Sequence, residues 1–223
     1  MKQVFEFLES LKKNNNRQWF LANKSHYEMC HERMIVLASE LLNQMNTHDL
    51  IGNLSGKKSL HRIYRDVRFS KDKTPYKKNW SGSFKRANAQ KRGGYYYHLE
   101  PGGSFVAGGF WGPNKEDLRL IRDHLSQEGE DYRKVIAQKE FKETFGKVHG
   151  EQLKKSPKGF DADHPDIDLL RYKQFILRYD FADKEVLSLD FPKQASEVFQ
   201  KMRPYFDLMS DFLTSDLNGN EII

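Results

Sequence analysis

The stretch that decides the fold is GGYYYHLEPGGSFVAGGFW, residues 93–111. Its two halves are rich in aromatic side chains, which favour extended backbone. The sequence PGG at 101–103 separates them, because proline presets φ and glycine accepts positive φ in a turn. The stretch therefore predicts a β-hairpin with strands at 94–100 and 104–111.

The segments on either side show two hydrophobic periods. Apolar residues that recur every three or four positions predict helices at 3–13, 17–45, 114–125, 132–137, 139–145 and 192–213. The proline at 204 should bend or interrupt the last of these helices. Alternation at every second position predicts three more strands, at 62–69, 79–85 and 172–181. Because helices flank the strands instead of alternating with them, the order predicts an α+β fold. We expect a single domain over residues 1–223, with an antiparallel sheet of about five strands packed against N- and C-terminal helices.

Composition excludes several classes of protein. Aromatic residues make up 13% of the chain, which is too many for a disordered polypeptide. The lone cysteine, Cys30, provides no disulfide framework and suits a reducing compartment, and its helical spacing predicts a core position. The N-terminal stretch has acidic residues that a signal peptide lacks, and no run is apolar enough to cross a bilayer. We therefore expect a cytoplasmic protein that does not enter membranes.

Positive charge is concentrated in one part of the sequence. Residues 57–92 contain 13 Lys and Arg but only two acidic residues, whereas the whole chain has a net charge of +6. Such a stretch attracts anions, among them phosphates and acidic partners. The alternative interpretation is that the lysines only solvate an exposed edge.

The densest part of this stretch is RIYRDVRFSKDKTPYK, residues 62–77. On a strand, Arg62, Tyr64, Asp66 and Arg68 share one face. Asp66 can then pair with either arginine and leave the other guanidinium for a carboxylate or phosphate ligand. The alternative is a structural network of ion pairs across neighbouring strands.

The opposite face of the same predicted strand is largely apolar. It contains Ile63, Val67 and Phe69, and Arg65 lies among them. A guanidinium placed against a core needs a carboxylate or several carbonyl groups as partners. We therefore expect Arg65 to be mostly buried and held by a carboxylate from elsewhere in the chain.

The eight histidines give little indication of a metal centre. They contain no HxxxH or HExxH spacing, so we predict no metal site and no cofactor. His98 and Glu100 share one face of a predicted strand. They form an acid–base pair where that face lines a cleft, and otherwise a structural surface pair.

Four separated motifs resemble those of a conserved hypothetical bacterial family catalogued as a domain of unknown function. They are NNNRQWF at 14–20, the motif at 62–77, YHLEPGG at 97–103, and PKGF at 157–160 followed by DHP at 163–165 and LRYK at 170–173. The motifs occur in order over nearly the whole chain. The resemblance implies a family but no activity, and no catalytic residue can be carried over from it.

The leading functional hypothesis is binding of an anionic, phosphate-bearing small molecule on a basic, aromatic-rich sheet face. Clustered polar side chains at several separated places suggest convergence on one patch, and catalytic residues remain unassigned. The candidate ligand-binding residues are Arg62, Tyr64, Asp66, Arg68, Lys71, Lys73, Tyr76, Lys77, His98, Lys158 and His164.

Two other functions stay open. An enzyme acting on an anionic small molecule would use Asp66, His98 or His164 for proton transfer. A protein-interaction domain would need these motifs only for its structure. Nucleic acid is a less favoured ligand, because no RNP, KH or helix-turn-helix signature occurs and the rest of the chain is acidic. The sequence leaves the oligomeric state undetermined.

Overall fold

The computed structural model describes residues 1–222, and it confirms the α+β class. The strands in this range are β1 Trp80–Lys85, β2 Gly94–Leu99, β3 Phe105–Phe110 and β4 Phe175–Asp180. The helices are α1 Lys2–Lys13, α2 Arg17–Ala22, α3 Lys24–Met45, α4 Gly56–Ser59, α5 Lys115–Ala137, α6 Lys139–Phe145, α7 Ile167–Leu170, α8 Asp183–Val186, α9 Phe191–Lys201 and α10 Arg203–Thr214. Over these residues, no helix combines the length and the apolar character needed to span a membrane.

The strands form one open antiparallel sheet in the order β1-β2-β3-β4. The β2–β3 hairpin is present as predicted, with Gly103 N–H donating to the Glu100 carbonyl at 2.9 Å and Gly102 at φ 71°. The prediction of about five strands is wrong, because residues 62–69 do not form a strand. Their backbone makes a single bridge, at Tyr64. Further along, the Asp66 carboxylate accepts the Arg68 N–H at 3.2 Å, and such local side-chain bonds compete with strand pairing.

Three of the predicted helices have different bounds. The expected helix at 17–45 is broken at Asn23, which has non-helical dihedrals and whose side-chain amide donates to the Trp19 carbonyl. The helix predicted to end at residue 125 continues to Ala137 with a kink at Glu128. The C-terminal helix is interrupted at Met202, as the proline at 204 predicts, because proline fits only the first turn of a new helix.

Contacts divide the chain into two compact units. Unit 1 comprises Met1–Phe84, Tyr96–Val106 and Asp180–Glu197; unit 2 comprises Lys85–Tyr95, Ala107–Tyr179 and the residues from Val198 onward. The prediction of a single domain stays a prediction.

The core of unit 1 is aromatic and is built around Phe7 of α1. Its ring centroid lies 5.7 Å from that of Trp80 in β1 and 6.0 Å from that of Tyr27 in α3. The Tyr27 and Trp80 rings are stacked at 5.8 Å. Cys30, one turn along α3, is fully buried, which confirms its predicted core position. These contacts hold α1 and α3 against the first strand.

The core of unit 2 is formed by α9 and α10 against sheet residues. Tyr95 of β2 lies 5.0 Å from Phe199 and 4.9 Å from Phe206, measured between ring centroids. Deeper in the unit, the hydroxyl groups of Tyr132 and Tyr205 are 3.1 Å apart. Burial raises the pKa of both phenols, so they remain neutral hydrogen-bonding groups.

Candidate functional site

The motif at residues 62–77, called here the basic loop, is a loop of unit 1 whose two arms are hydrogen-bonded to each other. Tyr64 and Tyr76 form an antiparallel bridge at its base. On either side of this bridge, Lys77 N–H donates to the Ile63 carbonyl at 2.8 Å and Arg65 N–H to the Pro75 carbonyl at 2.9 Å. The two arms of the loop are therefore held as a short ribbon, and the residues between them form its tip.

The asparagine run near the N-terminus fixes the base of this loop. The Asn15 side chain donates to the Tyr76 carbonyl at 2.9 Å and accepts the Tyr76 N–H at 3.1 Å. The next residue, Asn16, caps α2 by accepting the Trp19 N–H. Tyr76 is buried and stacks on Phe20 at 4.0 Å, so its ring belongs to the core and not to an open binding surface.

Arg65 ties the two arms of the basic loop together and is mostly covered, as its predicted place on an apolar face required. Its side chain is only 25% exposed and donates to the Asp72 carboxylate at 2.7 Å, which confirms a carboxylate partner. The partner lies seven residues away in the same loop. The guanidinium also donates to the Thr74 carbonyl at 3.0 Å and to the Thr74 hydroxyl. Hydrogen bonds from Thr74, followed by Arg65, lower the pKa of Asp72 to about 2.

At the tip, Arg68 forms a bidentate ion pair with Asp66. Its Nη2 donates to Asp66 Oδ2 at 2.7 Å, and its Nε donates to Asp66 Oδ1 at 3.0 Å. Lys73 donates to the Val67 carbonyl at 2.9 Å and so closes the tip. Phe69 was expected on the buried face with Ile63, but it is 96% exposed because the backbone turns at Asp66. The charges of the tip are therefore mostly satisfied within the loop.

Because Asp66 pairs with Arg68, it does not pair with Arg62. Within residues 1–222, neither Arg62 nor Lys77 forms an ion pair with a carboxylate. Burial, and then the charge of Arg62, lower the pKa of the partly buried Lys77. Burial, and then the charge of Lys77, lower the pKa of His61. Lys77 therefore lies within electrostatic range of both Arg62 and His61 at the base of the loop.

Beside these groups, six side chains of unit 1 form a hydrogen-bonded chain, called here the polar chain. His61 contacts the Ser83 hydroxyl through Nε2 at 3.1 Å and the Ser81 hydroxyl through Nδ1 at 3.3 Å. The Tyr96 ring centroid lies 5.9 Å from that of His61, and burial raises the pKa of Tyr96 while hydrogen bonding from the Ser81 side chain opposes that rise. The Tyr96 hydroxyl lies 3.1 Å from His98 Nδ1, and His98 Nε2 lies 3.2 Å from a Glu100 oxygen. The predicted His98–Glu100 pair is therefore present as the end of a longer array.

Strand alternation explains why these groups share a face. Trp80, Gly82 and Phe84 of β1 are buried, so Ser81 and Ser83 point to the other side of the strand. His61 is brought alongside because its N–H donates to the Ser81 carbonyl at 2.9 Å.

On the buried side of β1, a Cβ at Gly82 would overlap the ring and hydroxyl of Tyr97. Glycine therefore permits the close approach of β1 to β2. Burial raises the pKa of Tyr97 to about 12, and its hydroxyl lies 3.1 Å from the Ser59 hydroxyl.

Sequence reasoning missed most of the polar chain. His61, Ser81, Ser83 and Tyr96 were not among the candidate residues, although the alternation in the predicted strand at 79–85 already placed the two serines on one face. His61 lies next to the basic motif, but nothing in its spacing indicated that it pairs with β1. That pairing is a long-range contact, which a local pattern does not encode.

The remaining candidate residues are distributed over both units. Lys71 is exposed on the basic loop in unit 1, whereas Lys158 and His164 lie in unit 2. His164 Nδ1 accepts the Asp166 N–H at 3.0 Å, which is a turn-forming role next to α7. Convergence of these two residues with the basic loop stays a prediction. Among the described residues, no group of three His, Cys, Asp or Glu side chains is arranged to hold a metal ion.

These features define an α+β protein with a clasped basic loop next to a polar sheet face. The chain belongs to the conserved hypothetical protein family DUF2461, whose sequence profile matches residues 3–208. The resemblance carried by the four motifs is thereby confirmed. No curated protein and no solved structure shows a significant match to the chain.

Proposed function

We propose that this protein binds an anionic, phosphate-bearing small molecule at Arg62 and Lys77, at the base of the basic loop. The observation that carries the proposal is a partly buried lysine beside an arginine, with no carboxylate paired to either within residues 1–222. Like charges in a partly desolvated place repel one another and are costly without a counter-ion. A bound anion would relieve this repulsion.

The pairing pattern of the loop supports a localised site over a diffuse basic surface. Arg65 and Arg68 are each paired with an aspartate, and Lys73 donates to loop carbonyls. Apart from the exposed Lys71, the positive charge of the loop that remains for a ligand thus lies at the base. A guanidinium there offers two parallel N–H donors to phosphate oxygens, which adds geometric selectivity to the charge.

An aromatic surface adjoins these cations. Tyr64 is 54% exposed, and its ring centroid lies 5.4 Å from that of Tyr76 and 6.2 Å from that of Phe20. Because Phe20 and Tyr76 already pack against the Tyr64 ring, this side chain loses little conformational entropy when a flat ligand stacks on its exposed face. A phosphate compound with a planar or ring-shaped remainder fits this surface, because bases and similar groups stack on aromatic side chains.

The test is thermal stabilisation by a panel of sugar phosphates, nucleotides and short oligonucleotides at low and moderate salt. A ligand at 100 times its Kd stabilises the folded state by about 2.7 kcal/mol. We expect one compound class to stabilise the protein at moderate salt, and Arg62→Ala and Lys77→Met each to abolish the effect. Lys71→Met is the matched control, since Lys71 is an exposed lysine of the same loop. Equal stabilisation by every polyanion, lost at moderate salt, would contradict the proposal.

A second candidate function is protein interaction through the loop tip. The observation that favours it is Phe69, which is fully projected from a loop braced by its own ion pairs, with the Arg68 guanidinium 5.8 Å from the ring centroid. Phe69→Ala should leave ligand stabilisation unchanged and weaken binding to a partner. For location, we propose the cytoplasm, because the single cysteine is a reduced and buried thiol.

A further inference from the structure

The polar chain has one direction of hydrogen-bond donation when its two imidazoles are neutral. A carboxylate only accepts, so His98 Nε2 donates to Glu100, and His98 Nδ1 must accept from the Tyr96 hydroxyl. Tyr96 has then used its only proton, and the Ser81 hydroxyl donates to the Tyr96 oxygen. Each bond therefore fixes the orientation of the next one.

The same reasoning determines the tautomer of His61. Because the Ser81 proton points to Tyr96, the Ser81 oxygen accepts from His61 Nδ1–H. The Nε2 atom of His61 then has a lone pair and no proton. The Ser83 hydroxyl, 3.1 Å away, donates to it. The polar chain thus ends with a serine hydroxyl hydrogen-bonded to an unprotonated imidazole nitrogen.

We propose that Ser83 is a nucleophile activated by His61 as general base, and that it reacts with a phosphate ester held by Arg62 and Lys77. A serine within hydrogen-bond reach of a base, which a third group orients, is the arrangement of activated hydroxyl nucleophiles. Ser83 is partly exposed, unlike the buried Ser81, and so is the serine of the pair that a ligand can reach. Only the choice of a phosphate ester rests on the proposed function.

The reaction balances without a redox partner. The Ser83 oxygen attacks phosphorus, its O–H bond breaks, and the proton moves to His61 Nε2. The ester oxygen of the leaving group departs with its bonding electron pair and takes that proton. Water, deprotonated by His61 Nε2, then attacks phosphorus, and the bond between phosphorus and the seryl oxygen breaks. The seryl oxygen leaves with the bonding electron pair and takes the proton back from His61, so both residues are restored and the net change is hydrolysis of one ester. The positive charges of Lys77 and Arg62 stabilise the negative charge that develops on the phosphoryl oxygens.

The other members of the polar chain are positioning residues. Glu100, through His98, Tyr96 and Ser81, selects the tautomer of His61 that leaves Nε2 unprotonated. This role has a spectroscopic signature, because the ¹⁵N chemical shifts of an imidazole distinguish its two tautomers. Tyr96→Phe should convert His61 from a single Nδ1–H tautomer to a mixture, while a purely structural role for Tyr96 predicts no change in these shifts.

The decisive experiment uses a fluorophosphonate ester, which reacts with activated serines and releases fluoride. Incubated with the full chain, it should give one covalent adduct, placed on Ser83 by peptide mass spectrometry. His61→Gln should slow labelling about 100-fold, the contribution typical of a general base. Ser188→Ala is the matched control, a serine without a histidine neighbour, and should label like the unmutated chain. Melting curves of each variant establish that it is folded.

Two results would overturn this proposal: no adduct at Ser83 in the folded, unmutated chain, or labelling that His61→Gln leaves unchanged. The first result needs no variant, so it holds even where a substitution impairs folding. Failure of the proposed function shows in a different measurement: anionic compounds would not raise the melting temperature of the protein although Arg62 and Lys77 are both present. Ser83 labelling without anion stabilisation would leave the nucleophile in place and remove only the phosphate ester as its substrate.

Discussion

The basic loop and the polar chain lie next to each other in unit 1 but use charge in opposite ways. In the loop, Arg65 and Arg68 are paired with aspartates seven and two residues away, so these two positive charges are neutralised over a short distance. In the polar chain, neutral groups from separate segments are linked in series, and the unpaired cations lie at one end.

The difference teaches that the charge density of a sequence is a poor measure of the charge that a ligand meets. Most of the residues predicted to bind a ligand lie in the loop, but several of them form hydrogen bonds within the loop and keep it closed. The neighbouring face is much less conspicuous in the sequence, and it contains the serine and histidine that we propose to be reactive.

The largest expected effect concerns the support of the polar face. Gly82→Ala should lower the free energy of unfolding by about 2–3 kcal/mol, because its Cβ would overlap Tyr97 in a buried part of the sheet. Gly103→Ala is the matched control, since no atom lies within 4 Å of the added Cβ and it should change stability by less than about 0.5 kcal/mol. Urea unfolding of both variants measures the difference. Equal losses would mean that β1 and β2 do not approach as closely as described.

A smaller effect separates the two arginines of the loop. Arg65→Met should cost about 1–2 kcal/mol, because Arg65 is mostly covered and donates to Asp72 and twice to Thr74. Arg68→Met should cost much less, because its pair with Asp66 is exposed to solvent. Chemical denaturation of the two variants tests this order, and a larger loss for Arg68→Met would show that the tip, not the ribbon, holds the loop.

The smallest effect is the pH dependence due to His61. Its pKa in the folded state is lowered by burial and then by Lys77, below the 6.5 of an unperturbed histidine. The unfolded chain therefore binds more protons in this range, and stability falls as the pH drops from 6.5 through the folded pKa. His61→Gln should weaken this dependence, which denaturation at pH 7.5 and pH 5.5 measures. Lys77→Met should weaken it partly, and an unchanged slope in both variants would contradict the assignment.

Local signals were sufficient for much of the fold. The hairpin followed from its PGG turn, and the break before α10 followed from the proline at 204, because both residues restrict backbone dihedrals directly. The buried face of α1 and the buried position of Cys30 also followed from the recurrence of apolar residues at every third or fourth position. In each case the determinant lies within a few residues of the feature.

The failures have a common physical cause. Residues 62–69 alternate like a strand, but the Asp66 side chain captures a backbone N–H and turns the chain, which exposes Phe69. His61 gained its role only by pairing with β1, some twenty residues away. Polar side chains can bond to the local backbone or to distant segments, and hydrophobic period does not distinguish these outcomes.

The double hydrogen bond between Asn15 and Tyr76 has a consequence for the order of folding. The asparagine amide takes the place of a strand residue, although it lies 61 positions earlier in the chain. Closing a connection of this length costs conformational entropy that local turns do not have to overcome. The corner between α1 and α2 can form early from neighbouring residues, while the arms of the basic loop gain their register only after that corner has docked. We therefore expect the proposed ligand surface to be among the last parts of unit 1 to become ordered during folding, and Asn15→Ala to loosen that surface while α1 and α2 persist.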